Sequence, residues 1–391
     1  MRYKLAYTGL ILFIYTLGRC IPLYGIDTSI RSMKFVSAED ILMQTISGDA
    51  YRSSVFALGI FPYMISGILV QIVMVLRNLA SKSKISPGKI SRATVTVTLG
   101  IAILQAFSQM QELSFIVEER LIFMAKILVM TEMVTGVMLM MWMSDRNGKY
   151  GIGGRMMLAL VNILDRLIST VYGHSIQKLA IPLVISVVMM IMILIMENAE
   201  KRIPVQRISI HNIYADKNYM AIKLNPVGIM PVMFSTAVFM LPRLFVSLLG
   251  YLFPAHTGIV WWQENMTLTR PLGISVYIAC EYLLTIGLSL IMISPKDITE
   301  QFLKSGDSIV NLHAGYDTRK YLRTVVWRIS FLSASVMGAC VGIPLLLQLR
   351  GNIDGSLVML PSSVMMLTGF WCNIRREIIT IQKYDTCQPL F

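Results

Sequence analysis

The sequence predicts an all-α membrane protein, with ten transmembrane helices in two inverted five-helix halves around a central cavity. Three observations predict it. Of 391 residues, 55% are hydrophobic and only 15% charged, with a mean hydropathy of +0.64, which is too apolar for a water-soluble domain of this size. Apolar runs of spanning length alternate with polar connections along the whole chain. Finally, a helical stretch at about 38–48 covers only about half of a hydrocarbon core about 30 Å thick. A half-length helix beside a Gly/Pro-punctuated one is tolerated in lipid only where protein or a cavity surrounds it.

The elements follow in order. Residues 5–21 form the first span, closed by Pro22 and Gly25, and the opening Met1-Arg2-Tyr3-Lys4 without a small-residue cleavage site predicts that it is retained. Ser37 with Glu39 and Asp40 is a helix-start signature, with a side-chain oxygen for free N–H groups and acids at the positive end of the dipole. Ile41, Leu42, Thr45 and Ile46 then make an apolar stripe, ended by Gly48. Residues 54–76 form the second span, loosened by Gly59, Pro62 and Gly67. A basic loop follows with Arg77, Lys82, Lys84, Lys89 and Arg92. Residues 95–110 and 121–143 are the third and fourth spans, separated by a turn with Glu112, Glu118 and Glu119. After a polar link at 145–149, Gly151-Ile152-Gly153-Gly154 opens the fifth, which reaches Leu167. Arg155, Asn162, Asp165 and Arg166 would be costly against lipid, so this span is expected to face the interior. Residues 179–196, 224–251, 272–293, 321–349 and 357–374 complete the set, the seventh broken by Pro226, Pro231 and Pro242, and the tenth closed by Arg375-Arg376. Long polar connections fill 197–223 and 295–320.

Lys and Arg on the N-terminal side outnumber those on the other by about two to one, which puts both termini in the cytoplasm. Five spans per half is an odd number, so the second half (174–391) starts on the opposite side from the first (1–173). That is the arithmetic of an inverted repeat, whose interface near the midplane is the natural place for a pathway.

The net charge of +13 would suggest nucleic acid in a soluble protein, but here it sits in the connections, and no nucleic-acid partner is expected. Cys20, Cys280, Cys340, Cys372 and Cys387 form no CxxC pair, and His174, His211, His256 and His313 never reach metal-ligand spacing, so no metal site is expected. No GxxxxGK, HExxH or GxSxG motif occurs. The chain is expected to be neither enzyme nor cofactor binder, and its energy for transport must come from a partner.

Residues 54–71 contain Ala57-Leu58-Gly59-Ile60-Phe61-Pro62-Tyr63-Met64, then Ile68 and Gln71. This resembles the second transmembrane segment of SecY, the central subunit of the bacterial protein-translocation channel. YTLGRCIPLYGID at 15–27 resembles the end of that family's first span, and 151–154 the Gly-rich opening of its fifth. ENAEKRIPVQ at 197–206 resembles its first large cytoplasmic loop, KLNPVGIMP at 223–231 the start of its seventh span, and SPKDITEQFLKSG with DTRKYL its second large loop. These similarities are collinear and cover nearly the whole chain. The resemblance implies a multi-pass plasma-membrane channel that passes unfolded secretory polypeptides, with a central pore and a short plug helix.

By position, the family's constriction ring falls on Ile60, Met64, Met156, Leu160, Met233 and Met366. An apolar collar resists continuous water and ions yet contacts a passing chain without binding it strongly. The plug falls at about 38–48, with Ile41, Leu42, Thr45 and Ile46. The wall that opens sideways to lipid would be lined by Gln71, Gln105 and Asn225, and Pro226 and Pro231 would let the seventh span flex. The two long connections would receive a SecA-like motor ATPase or a ribosome through Lys201, Arg202 and Arg207, and through Lys296, Lys304, Arg319, Lys320 and Arg323. SecE-like and other small membrane subunits are further implied partners, with the secretory preprotein and membrane lipid. The chain departs from the family in using methionine where isoleucine is more usual, in His313 where an arginine is nearly always found, and in Ser209 where a lysine is usual. With its shortened length, this resembles the accessory SecY paralogues of some Gram-positive bacteria, which work with a dedicated motor to export serine-rich glycosylated adhesins. The competing readings are a housekeeping SecY translocase and a small-solute secondary transporter, for which Asp165 with Arg166 is the candidate ion-coupling pair.

Overall fold

In a computed structural model of the chain, the structure describes residues 2–26, 54–80, 86–111, 113, 115–154, 156–206, 218–252, 258, 261–262, 265–351, 355 and 357–387. The expected short helix at 38–48 lies outside them. The long helices are α1 (Arg2–Arg19), α2 (Phe61–Ala80), α3 (Pro87–Met110), α4 (Ile122–Tyr150), α5 (Met156–Gly173), α6 (Ile176–Asn198), α7 (Met230–Leu252) and α8 (Pro271–Met292). A shorter α9 (Pro295–Ser305) precedes α10 (Tyr316–Leu349) and α11 (Leu360–Cys387). Strands β1 (Glu200–Gln206), β2 (Tyr219–Lys223) and β3 (Ser308–Ile309) form one sheet in the order β2-β1-β3. Six helical stretches among the described residues are long and apolar enough to cross a membrane.

Local chemistry sets the helix ends. Gly59 has φ +62, a left-handed conformation that stops residues 54–60 from continuing the expected second span, so α2 begins at Phe61 with Pro62 inside its first turn. The seventh span is shortened in the same way: Gly228 has φ +70, and residues 224–229 are turns that deliver the chain to α7. At α9, Ser294 Oγ accepts from Asp297 N–H at 3.4 Å, Pro295 opens the helix and Gly306 (φ 73) ends it. Two helices exceed their expected lengths. The polar link at 145–149 is the last turn of α4, and α11 runs on beyond Arg375 and Arg376 to Cys387. In both, polar side chains reach partners in neighbouring segments, so charge does not end the helix.

The helices pack as two groups of five. Within the first, α2 touches α3, α3 touches α4, and α1 touches both α4 and α5. If α1 to α5 are matched in order with α6, α7, α8, α10 and α11, these four contacts recur as α7–α8, α8–α10, α6–α10 and α6–α11. The groups meet where α2 and α3 lie against α7, and where α5 lies against α11. Two of these meetings, α2–α7 and α5–α11, join corresponding helices, as a twofold relation between the groups requires.

Candidate functional site

Each of the six residues expected in the collar lies in, or packs against, the main apolar core of the bundle. Ile60 sits on the turn before α2, Met64 in the first turn of α2, Met156 and Leu160 on α5, Met233 on α7 and Met366 on α11. Ile60, Met64, Met233 and Met366 are 1%, 5%, 4% and 0% exposed and belong to the large apolar core that draws on both groups, and the half-buried Met156 and Leu160 pack against it. The turn that carries Ile60 is wedged in place. Gly136 of α4 and Gly18 of α1 leave room for it, since a Cβ at these positions would lie 2.1 Å from the Val55 carbonyl oxygen and 2.1 Å from the Phe56 ring. Val55 N–H donates to the Ile21 carbonyl at 3.1 Å, and Phe56 stacks on Tyr15 at 5.8 Å.

The residues expected on the lateral seam behave differently from one another. Gln71 is exposed on α2. Gln105 on α3 is 3% exposed, and its Oε1 has no hydrogen-bond partner among the described residues. Asn225 is engaged deep in the second group. Its Nδ2 donates to Glu197 Oε1 at 3.1 Å, and its Oδ1 accepts from Gly228 N–H and from Ser333 Oγ of α10, both at 3.1 Å. Glu197 Oε2 accepts from Arg376 Nη1 of α11 at 2.8 Å, and Arg376 also donates to the Glu197 carbonyl. A short residue at the entry to α7 thus ties together α6, α10 and α11.

Sequence reasoning missed that hub, because Glu197 and Arg376 are 179 residues apart and each reads as a solvated helix end. Nor did it find the ion pair of Asp165 on α5 with Arg19 on α1, beside a hydrogen bond from Tyr15 Oη to Asn162 Oδ1 at 2.7 Å. A third omission was legible. Glu281 stands alone as an acid inside the eighth apolar run; it is 0% exposed, and neither carboxyl oxygen has a hydrogen-bond partner among the described residues. Among the described residues, no group of three or more His, Cys, Asp and Glu side chains could hold a metal.

The two long connections meet at one end of the bundle. β1 and β2 pair antiparallel from Glu200↔Lys223 to Pro204↔Tyr219, and β1 pairs β3 through Val205↔Ile309. Ile203, Ile222 and Ile309 pack with Leu322, Val325 and Ile329 of α10, so the sheet is seated on the start of that helix. Lys201, Arg202, His313, Arg319 and Lys320 are exposed there, as are Lys296, Lys304 and Arg323. The Arg202 guanidinium lies 4.7 Å from the Tyr219 ring centroid, and the His313 carbonyl accepts from Thr318 Oγ1 at 2.9 Å. Arg207 and Ser209 lie outside the described residues.

This geometry defines a class: a polytopic α-helical membrane protein, built from two repeated five-helix groups that close on an apolar cluster. The SecY family model matches residues 54–369, and the chain belongs to the SecY family. It is 27% identical to an accessory Sec system protein translocase subunit SecY2 of Leuconostoc gelidum subsp. gasicomitatum, over 99% of this chain and 96% of that protein. It is 28% identical to the subunit of the same name from Streptococcus salivarius, over 99% of this chain and 97% of that one. Among solved structures it is similar to one described as a protein conducting channel, with a TM-score of 0.67 at 17% identity, over 97% of this chain and 93% of the other.

Proposed function

We propose that this SecY-family chain is the channel-forming subunit of an accessory Sec-type protein translocase, passing unfolded secretory polypeptides across the plasma membrane and opening sideways to lipid. The observation that supports the reading is that Ile60, Met64, Met233 and Met366, drawn from both five-helix groups, are buried in one apolar core against which Met156 and Leu160 pack. Side chains of this kind offer a polypeptide contact area without hydrogen-bond partners, so the chain slides while ions meet a dehydration barrier. Ten spanning helices with both termini in the cytoplasm, halves at 1–173 and 174–391, and a plug at about 38–48 belong to the same reading.

The seam between α2, α3 and α7 is the lateral gate, with Gln71 and Gln105 on its walls. Asn225 acts from behind it, fixing where α7 starts. The sheet-borne cations Lys201 and Arg202, with Arg319 and Lys320 on α10, receive a SecA-like motor, and small SecE-like subunits brace the bundle. The relatives' name supports the accessory system, and export of serine-rich glycosylated adhesins is the substrate class proposed with it. The test is disulfide cross-linking between Met64→Cys and a cysteine in a stalled secretory chain. An adduct that depends on the stalled chain is expected, whereas a solute carrier gives none.

A further inference from the structure

The Gly-rich stretch between α4 and α5 is held by three side chains from three other segments. Asn147, on the last turns of α4, is fully buried; its Nδ2 donates to the Ile152 carbonyl at 3.0 Å and the Gly154 carbonyl at 2.8 Å, and its Oδ1 accepts from Thr8 Oγ1 at 2.9 Å. Thr8 Oγ1 in turn accepts from Ile152 N–H at 2.8 Å. Gly153 and Gly154 have φ +73 and +48, a conformation that takes their backbone groups out of any helical ladder, so side chains must satisfy them. A Cβ on Gly151 would lie 2.0 Å from Asn147 Oδ1, so the turn closes directly onto that amide. The Gly153 N–H points across to the other five-helix group and bonds Glu377 Oε2 of α11 at 2.9 Å. The Gly153 carbonyl accepts from Met156 N–H at 3.0 Å, the first residue of α5. One glycine therefore joins α11 to the residue placed in the collar.

We propose that Asn147, Thr8 and Glu377 form a clasp that sets the depth and rotation of α5, with Glu377 as a positioning residue that seats Met156 relative to the opposite half. It rests on the collar reading above, because only there does the seat of Met156 matter for sealing. The clasp stands at α5–α11, one of the two places where corresponding helices of the halves meet. It holds that side together while α2 and α7 part.

The experiment uses the full chain with its native cysteines replaced and Met156→Cys added, in membranes with its partner subunits. Labelling of that cysteine by a membrane-impermeant maleimide and resting ion leak are both read. Glu377 is exposed, so its substitution leaves the packing of the bundle intact. Glu377→Ala is expected to raise labelling and leak several-fold, and Asn147→Ala to do the same. Glu377→Gln keeps an oxygen that accepts from Gly153 N–H and should stay within about twofold of the parent. Parental labelling and leak in Glu377→Ala, or a Glu377→Gln form as defective as Glu377→Ala, would overturn the clasp. Cross-linking of Met156→Cys to a stalled secretory chain is measured separately: if no adduct forms while Glu377→Ala still alters labelling, the collar reading fails and the clasp survives.

Discussion

Glu197 shows how a charge is kept inside a bundle that faces lipid. Its side chain is 1% exposed, and its two oxygens are taken by Asn225 and by Arg376, which is itself 31% exposed. Removing one partner of such a pair strands the other, which costs about 3 kcal/mol or more. Arg376→Ala should therefore lower the thermal midpoint in detergent, and adding Glu197→Gln should recover more than half of the loss, a non-additivity that marks a direct pair. Glu281 is the opposite case, fully buried with no hydrogen-bond partner for its carboxyl oxygens among the described residues. Glu281→Leu, close in volume, should raise the thermal midpoint, by about 1 kcal/mol in stability. An unchanged or lowered midpoint would show that this acid has a partner in the assembled complex.

Among the elements, the turn at 54–60 matters most, because it places Ile60 ahead of α2 and depends on glycines in other helices. The Val55 carbonyl would lie 2.1 Å from a Cβ on Gly136, so Gly136→Ala must push the turn away. The expected cost is about 1–3 kcal/mol, with a larger resting ion leak. Gly88→Ala, which meets nothing within 4 Å, is the control and should leave both measurements unchanged. The apolar runs were legible because their period and length are local properties. Their ends were less so. Gly59 and Gly228 were visible as letters, but whether such a glycine bends a span or ends it depends on what packs against it. The β1–β2 hairpin was missed because it is seated on α10, which lies about a hundred residues further on.

At the scale of the whole molecule, the two five-helix groups share a neighbour pattern, and on the proposed reading they meet at the collar, so that small relative motions of the groups would act on the six apolar side chains together. Methionine is unbranched and adapts its shape, which would suit the proposed seal in closing around cargo of varied width. Replacing Met64, Met156 and Met233 by isoleucine together is expected to lower export of glycosylated substrate several-fold while bare substrate is little affected. Equal export of both would end that explanation. The cationic sheet and the start of α10 form a single platform, so, on the proposed reading that it receives a motor, Arg202→Glu and Lys320→Glu should each weaken motor binding, more at low salt than at high. Equal loss at all salt concentrations would point to misfolding of the platform instead.

By itself the sequence determined the class of molecule and the family, because hydropathy, helical period and motif spacing are written along one chain. Only the tertiary structure decided which polar groups are partners. Arg19 with Asp165, Glu197 with Asn225 and Arg376, and Glu377 with Gly153 join residues 28 to 224 positions apart. In a low-dielectric bundle the satisfaction of a buried polar atom depends on geometry within a few ångströms, which no count of residues along the chain encodes.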